Sequence, residues 1–230
     1  MLRAVLVAIF GVLAAPAGAA TPGFVEDFTA GSAGFGGGST VTHEGSGGVG
    51  GAADPYISIS NSLASNLGAF STDANLVGNL PADGVTGYSF WLRDTGADDA
   101  LEIHVAIGSQ SNFWLSLPGF APPNASWQQF AVDLNNPSQW VQIIGAGTFQ
   151  SALASSNRLL FRHDVPPLTQ TPNPIAAGFG LDRIQVLPAP ETSAVPAVSA
   201  AGRAALGVLL CAVVALGLYR RSGLRRVPPR

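Results

Sequence analysis

Trp91, Arg93, Glu102, His104, Trp114 and Gln129 place two large rings among planar polar groups at strand-like spacing. Sugars are held by that combination, since their C–H faces stack on rings while their hydroxyls pair with guanidinium, carboxylate and amide groups. The same residues would also serve a blander arrangement, with the tryptophans packed under loops and the polar groups solvated. Acid–base chemistry is poorly supplied. Phe161-Arg162-His163-Asp164 sets a histidine beside a carboxylate, but neighbours along a strand point to opposite faces and form no dyad. Glu102 and Asp133 could stand across strands as a glycosidase pair, which needs two carboxylates ~5–10 Å apart. Exposed surface carboxylates are the better account of Glu102 and Asp133. No Gly-x-Ser-x-Gly elbow, phosphate-binding loop or His-Glu-x-x-His segment occurs. The residues therefore point to a non-enzymatic protein, with a carbohydrate-active enzyme (a glycan hydrolase) as the alternative.

Composition narrows the classes further. The 230-residue chain has one Cys and three His, too few for a disulfide framework or a His/Cys metal cluster. Charged residues are 11%, and all 11 basic residues are arginine. The 14 acids lie between Glu26 and Glu191, where Arg93, Arg158, Arg162 and Arg183 are the cations, leaving that stretch at −10. An acidic middle with arginines at the ends excludes a nucleic-acid binder, which requires a basic face.

The ends read as addresses. Met-Leu-Arg, an apolar run Ala4 to Ala15 and a small-x-small site at Ala17 to Ala19 predict a secretory signal peptide over 1–20, with the mature chain starting near Ala20 or Thr21. Ala204 to Tyr219 is a second apolar run with no polar face, followed by Arg220, Arg221, Arg225, Arg226 and Arg230. This predicts one transmembrane helix over about 202–219 with an arginine-rich tail on the cytoplasmic side. Directly before it stand Val195, Pro196, Val198, Ser199 and Gly202, which with the helix and the arginines resemble the C-terminal sorting signals of PEP-CTERM proteins, closest to the Ile-Pro-Thr-Leu variant. Ala197 stands where that motif has Thr, and Ala200-Ala201 where it has Glu-Trp. The resemblance covers 195–230. It implies an exosortase-type processing enzyme as partner, a membrane-anchored precursor passed to the cell surface or medium, and a family that tends to occur in Gram-negative bacteria secreting exopolysaccharide.

The remainder, 21–186, is expected to be one β-sandwich ectodomain, followed by a Pro-rich stalk over 187–194. Period-2 alternation predicts strands at Gly87–Arg93, Leu101–Ile107, Asn112–Leu117, Gln128–Leu134, Arg158–Arg162 and Leu181–Val186, with weaker ones at Phe24–Phe28 and Tyr56–Ile59. Their phases set Tyr88, Phe90, Leu92, Ile103, Val105, Ile107, Phe113, Leu115, Phe130 and Val132 inward, and collect the six candidate glycan residues on one outer sheet face. Thr148 to Ser155 is expected to form one or two helical turns, and the Gly-rich 31–51 a loop. The order Glu26-Asp27-Phe28, a Gly-rich segment before Tyr56, Tyr88-Ser-Phe, Trp127-Gln-Gln-Phe-x-Val-x-Leu, Trp140 and Gly180-Leu-Asp-x-Ile-x-Val resembles bacterial jelly-roll domains of the galactose-binding-like or laminin-domain-IV-like kind. That resemblance implies an all-β fold and a structural Ca²⁺ held between an acid of the first strand, Glu26 or Asp27, and Asp182 of the last. Asp182 shares the phase of Ile184 and Val186 and is expected to point inward at a strand end, where a carboxylate needs a cation or donors. Capping of loop N–H groups, or pairing with Arg183 or Arg162, would satisfy it as well. The chain is thus expected to be an exported, C-terminally sorted envelope or extracellular-matrix protein that contacts exopolysaccharide.

Overall fold

The computed structural model describes residues 19–96 and 101–190. Residues 1–18 of the expected signal peptide, the expected sorting motif and the apolar segment Ala204–Tyr219 lie outside the described residues. No helix among the described residues is long and apolar enough to cross a membrane.

The alternating segments become strands and bury their apolar phase. In chain order these are β1 (Val25–Glu26), β2 (Thr40–Glu44), β3 (Tyr56–Ser60), β4 (Ser65–Asn66), β5 (Gly68–Ser71), β6 (Val85–Asp94), β7 (Ile103–Ser109), β8 (Asn112–Ser116), β9 (Gln128–Asp133), β10 (Trp140–Gly145), β11 (Arg158–His163), β12 (Pro174–Ile175) and β13 (Gly178–Pro188). A single α-helix among the described residues, α1 (Phe149–Ala154), starts on a reciprocal cap between Thr148 and Ser151. One sheet has the order β2-β3-β13-β6-β9 with β1 added on β13, and the other the order β10-β8-β7-β11-β5. All of the pairings in both are antiparallel.

The two sheets meet over one core. Ile57, Ile59, Tyr88, Phe90, Leu92, Phe179, Leu181, Ile184 and Val186 come from the six-stranded sheet, and Ile103, Val105, Ile107, Leu159 and Phe161 from the five-stranded one; all are fully buried. Phe90 and Phe161 close the gap edge to face, with ring centroids 4.9 Å apart. The Tyr88 hydroxyl, buried in this layer, donates to the Leu76 carbonyl at 2.6 Å. This is the all-β sandwich that the alternation predicts.

Four local expectations are corrected. The Gly-rich 31–51 is not a bare loop, because Thr40–Glu44 pairs along β3 as an edge strand. The stalk begins later than Leu187: Leu187 and Pro188 finish β13 opposite Gly87 and Val85, and the Ala189 N–H donates to Gly84. Asn112–Leu117 has its phase reversed. Phe113 and Leu115 lie opposite Gly108 and Ala106, while Trp114 lies opposite the core residue Ile107 and packs against Phe149. Apolar residues at three successive positions fit either phase, and the two-residue connection Gln110-Ser111 between β7 and β8 settles which is used. Asp182 likewise takes the phase of Trp91 rather than that of Ile184 and Val186. A bulge at Arg183, whose φ is 47°, inserts one residue and switches the faces.

Gly108 illustrates how closely the β7–β8 hairpin is drawn. Its φ is 130°, and a Cβ there would collide with the Asn112 carbonyl oxygen. Gly108→Ala is expected to destabilise the domain by about 2–3 kcal/mol, from an unfavourable φ together with a backbone clash. Urea unfolding checks this, and a loss under about 0.5 kcal/mol, the size of an ordinary surface substitution, would contradict it.

Candidate functional site

The six residues singled out by sequence do not share a face. Trp91 and Gln129 are register partners on the outside of the six-stranded sheet, with Arg93 in the same phase. Glu102 and His104 belong to the five-stranded sheet side, and Trp114 points between the sheets.

Arg93 is a structural pin. Its guanidinium lies 4.5 Å from the centroid of Tyr56 and 4.9 Å from that of Trp127, and donates to the Gly47 carbonyl and the Tyr56 hydroxyl. Trp127 also donates to Gly47, at 3.0 Å. Gly180 lets Trp127 lie down here, since a Cβ would meet the ring at 2.8 Å. Arg93 and the two rings thus hold the Gly-rich loop over the sheet.

His104 is also occupied: 1% exposed, it has Nδ1 2.7 Å from the Ser116 carbonyl and Nε2 3.2 Å from Glu102 Oε1. Gly119 covers both side chains.

The acids disperse in the same way. Glu102 precedes β7 and Asp133 ends β9, so the supposed glycosidase pair sits on different sheets; Asp133 accepts from the Asn135 N–H. His163 does not pair with Asp164: its Nδ1 is 3.1 Å from the Glu102 carbonyl, and burial lowers its pKa. Glu26 accepts from Phe28 N–H and Asp27 from Thr29, each within its own turn. Burial raises the Glu26 pKa, whereas the Thr29 hydroxyl lowers that of Asp27. Asp182, fully buried beneath the Gly-rich loop, accepts from Val49 N–H at 2.8 Å and Arg183 N–H at 2.7 Å. Its carboxyl is held up at about 6, chiefly by burial. Among the described residues no group of three or more His, Cys, Asp and Glu comes together to hold a metal.

A concave polar–apolar surface lies elsewhere, on the outside of the five-stranded sheet. There Ala106, Phe113 and Leu115 are buried beneath Val141, Ile143, Ile144, Leu160 and Leu168, a second apolar layer separate from the core. β10 reaches this layer through a bulge between Gln142 and Ile144. A pocket of about 380 Å³ opens beside it, with an apolar floor of Phe113, Ile143, Ile144 and Leu160. Arg158, Arg162, Gln110 and Gln170 supply its polar walls, and among the described residues no carboxylate lines it. A second depression of about 210 Å³ shares Leu160 and Arg162 and continues past Phe70 and Gly68.

The strand phase of RLLFRH generates the walls. Leu159 and Phe161 enter the core, which leaves Arg158, Leu160 and Arg162 on the outside. Arg162, 4% exposed, pairs with fully buried Asp164 and donates to the carbonyls of Thr169 and Gln170. Asp164 in turn accepts from the N–H groups of Val165 and Asn173. The pair thereby straps the segment 165–173 along the edge of the pocket. Burial lowers the Arg162 pKa, and Asp164 opposes that shift. Arg158 is half-buried, lies 4.4 Å from the Phe70 ring centroid, and forms no ion pair among the described residues. Two arginines in one strand phase, within a stretch of net charge −10, were a legible signal for this surface. The contributions of Phe113, Ile143 and Ile144 were not, because one depends on a reversed phase and the others on a bulge.

No protein-family model matches the chain, and no curated protein does. The family 11 carbohydrate-binding module of Clostridium thermocellum, solved with a β-1,3-1,4-mixed-linked tetrasaccharide, is similar at a TM-score of 0.50 and 15% identity, over 74% of this chain and 98% of that one. The CBM22-2 xylan-binding domain from Paenibacillus barcinonensis is similar at a TM-score of 0.43 and 15% identity, over 72% and 98%. At such identities the likeness concerns architecture, and the chain shares the jelly-roll β-sandwich fold of carbohydrate-binding modules.

Proposed function

We propose that the domain is a non-catalytic glycan-binding module of an exported surface protein, and that it engages polysaccharide on the outside of its five-stranded sheet. The observation that carries this reading is the pocket of about 380 Å³ in that face. Its apolar floor suits the C–H faces of a sugar ring, and its guanidinium and amide walls suit hydroxyls and other acceptors. The fold shared with carbohydrate-binding modules supports the reading.

Affinity electrophoresis of the protein recovered from its cells, through gels containing exopolysaccharide from the same cells, tests the assignment. Leu160→Asn is expected to weaken retardation at least about tenfold, the loss of one well-placed apolar contact and its geometry. Trp91→Ala, on the opposite sheet, should leave retardation unchanged. Loss of binding in Trp91→Ala alone would move the site to the six-stranded sheet, and no retardation in any gel would remove the function.

The sorting signal belongs to the same proposal. A signal peptide removed near Ala20 and an exosortase-type cut at Val195–Gly202 would deliver this domain to the surface or matrix, where exopolysaccharide is met. Intact mass of the cell-derived protein should correspond to a chain starting near Ala20 and ending within 195–202. A mass extending to Arg230 would instead make it a permanently anchored domain.

A further inference from the structure

We infer that the pocket between β8, β10 and β11 selects an acidic sugar, taking the carboxylate of a uronate residue against Arg158 and Arg162; this rests on the glycan-binding reading above and names its substrate class. The charge distribution is the starting observation. The stretch from Glu26 to Glu191 carries 14 acids and four arginines. Arg93 is consumed by Tyr56, Trp127 and Gly47, and Arg183 stands 3.4 Å from Asp54. The other two both line this one pocket, and among the described residues no acid does. In a domain with so large an excess of negative charge, a pocket whose charged lining residues are both cations, one of them unpaired among the described residues, stands apart from the rest of the surface. Its low-dielectric floor of Phe113, Ile143, Ile144 and Leu160 strengthens whatever electrostatic contact forms there.

The two guanidinium groups have different parts. Arg162 is held by Asp164 and by the carbonyls of Thr169 and Gln170, so it is preorganised, with its charge largely balanced. It is 4% exposed, and its buried Nε meets no acceptor among the described residues, so the residue offers the pocket a fixed rather than a mobile cation. Arg158 has no carboxylate partner among the described residues and rests its guanidinium over Phe70. That stacking orients a planar fork whose N–H edges remain free for a bidentate carboxylate. A neutral sugar would leave this charge uncompensated, whereas a uronate matches it and still presents an apolar ring face to Leu160 and Phe113.

The test compares one polymer in two charge states. The full-length protein is run in affinity gels containing a polyuronate, the same polyuronate after carboxyl reduction to the neutral polysaccharide, and a sulfated polysaccharide, all with chelator present. Retardation by the polyuronate and at least about tenfold weaker retardation by its reduced form is the expected result, as for loss of one charge-assisted hydrogen-bonded contact. Arg158→Gln should produce the same loss on the polyuronate, and Arg158→Lys should restore only part of it because lysine lacks the fork. Arg183→Gln, which changes net charge equally on the other sheet, should bind as the unaltered protein does, with circular dichroism checking that each variant is folded. Equal retardation by the native and reduced polymers would overturn the acidic-sugar inference and leave glycan binding standing. Retardation as strong by the sulfated polymer, lost in Arg183→Gln and Arg158→Gln alike, would reduce it to diffuse charge attraction. Binding to none of the polymers, nor to the cells' own exopolysaccharide, would sink the glycan-binding function as well.

Discussion

Arg162→Met is expected to destabilise the domain by about 3–5 kcal/mol, the usual consequence of breaking a buried ion pair from one side. Arg162 is 4% exposed and Asp164 fully buried, so neither recovers hydration when its partner is removed. Without the guanidinium, one Asp164 oxygen keeps the N–H groups of Val165 and Asn173 while the other loses its donor. The carbonyls of Thr169 and Gln170 lose theirs too, so the strap over the pocket should open as the domain weakens. Asp164→Leu should be comparably harmful, because it leaves a buried cation without a carboxylate. The double variant should be much less destabilised than the sum of the two, since each single loss is mostly the penalty of the stranded partner. Urea unfolding of the three variants measures this coupling. Single losses under about 1 kcal/mol, the range of exposed ion pairs, would show that the pair contributes as a surface contact despite its burial.

Asp182 should give the domain an acid-favouring stability component. Its pKa is raised from 3.8 to about 6, first by burial under the Gly-rich loop, with the neighbouring Asp54 adding to the effect and the Val49 and Arg183 N–H groups opposing it. Between those two values the folded protein binds a proton that the unfolded chain has released. The contribution is therefore complete below about pH 4, falls as pH rises through the window from about 4 to 6, and is absent above it. A shift of this size corresponds to up to about 3 kcal/mol. Asp182→Asn, which keeps the shape and cannot titrate, should flatten the stability profile across that window relative to the unaltered protein. Parallel profiles for the two proteins would show that the carboxyl titrates at its ordinary value and that water reaches it.

How far the sequence predicts each element depends on what sets that element locally. Gly87–Arg93 and Gln128–Leu134 alternate cleanly, and β6 and β9 bury Tyr88, Phe90, Leu92 and Val132 as predicted, with Phe130 in the same phase against the core. The helical turns expected over Thr148 to Ser155 form as α1, whose cap is a contact only three residues long. Asn112–Leu117 failed on phase, since Phe113, Trp114 and Leu115 present apolar groups to both sides and nothing within the segment chooses between them. β10 escaped notice for a related reason: its bulge interrupts the period that would have marked it. The candidate glycan residues failed together for a third reason. Strand phase tells which residues share a side of one strand, but not which strands share a sheet.

The sequence by itself determined the class of the described domain: an acidic all-β sandwich with a core made by alternation. Those properties follow from composition and short-range periodicity, and each residue carries its part whatever its distant neighbours are. The tertiary structure alone decided which residues meet around the pocket. It split Trp91 from Trp114, spent Arg93 and His104 on holding loops, and joined Arg158 and Arg162 of β11 to Phe113 of β8 and Ile143 and Ile144 of β10 around one pocket. Such a meeting depends on pairing order, on one bulge and on a two-residue turn, all of which are contacts between segments far apart in the chain. Their energies belong to pairs of segments, and no single stretch of sequence contains them.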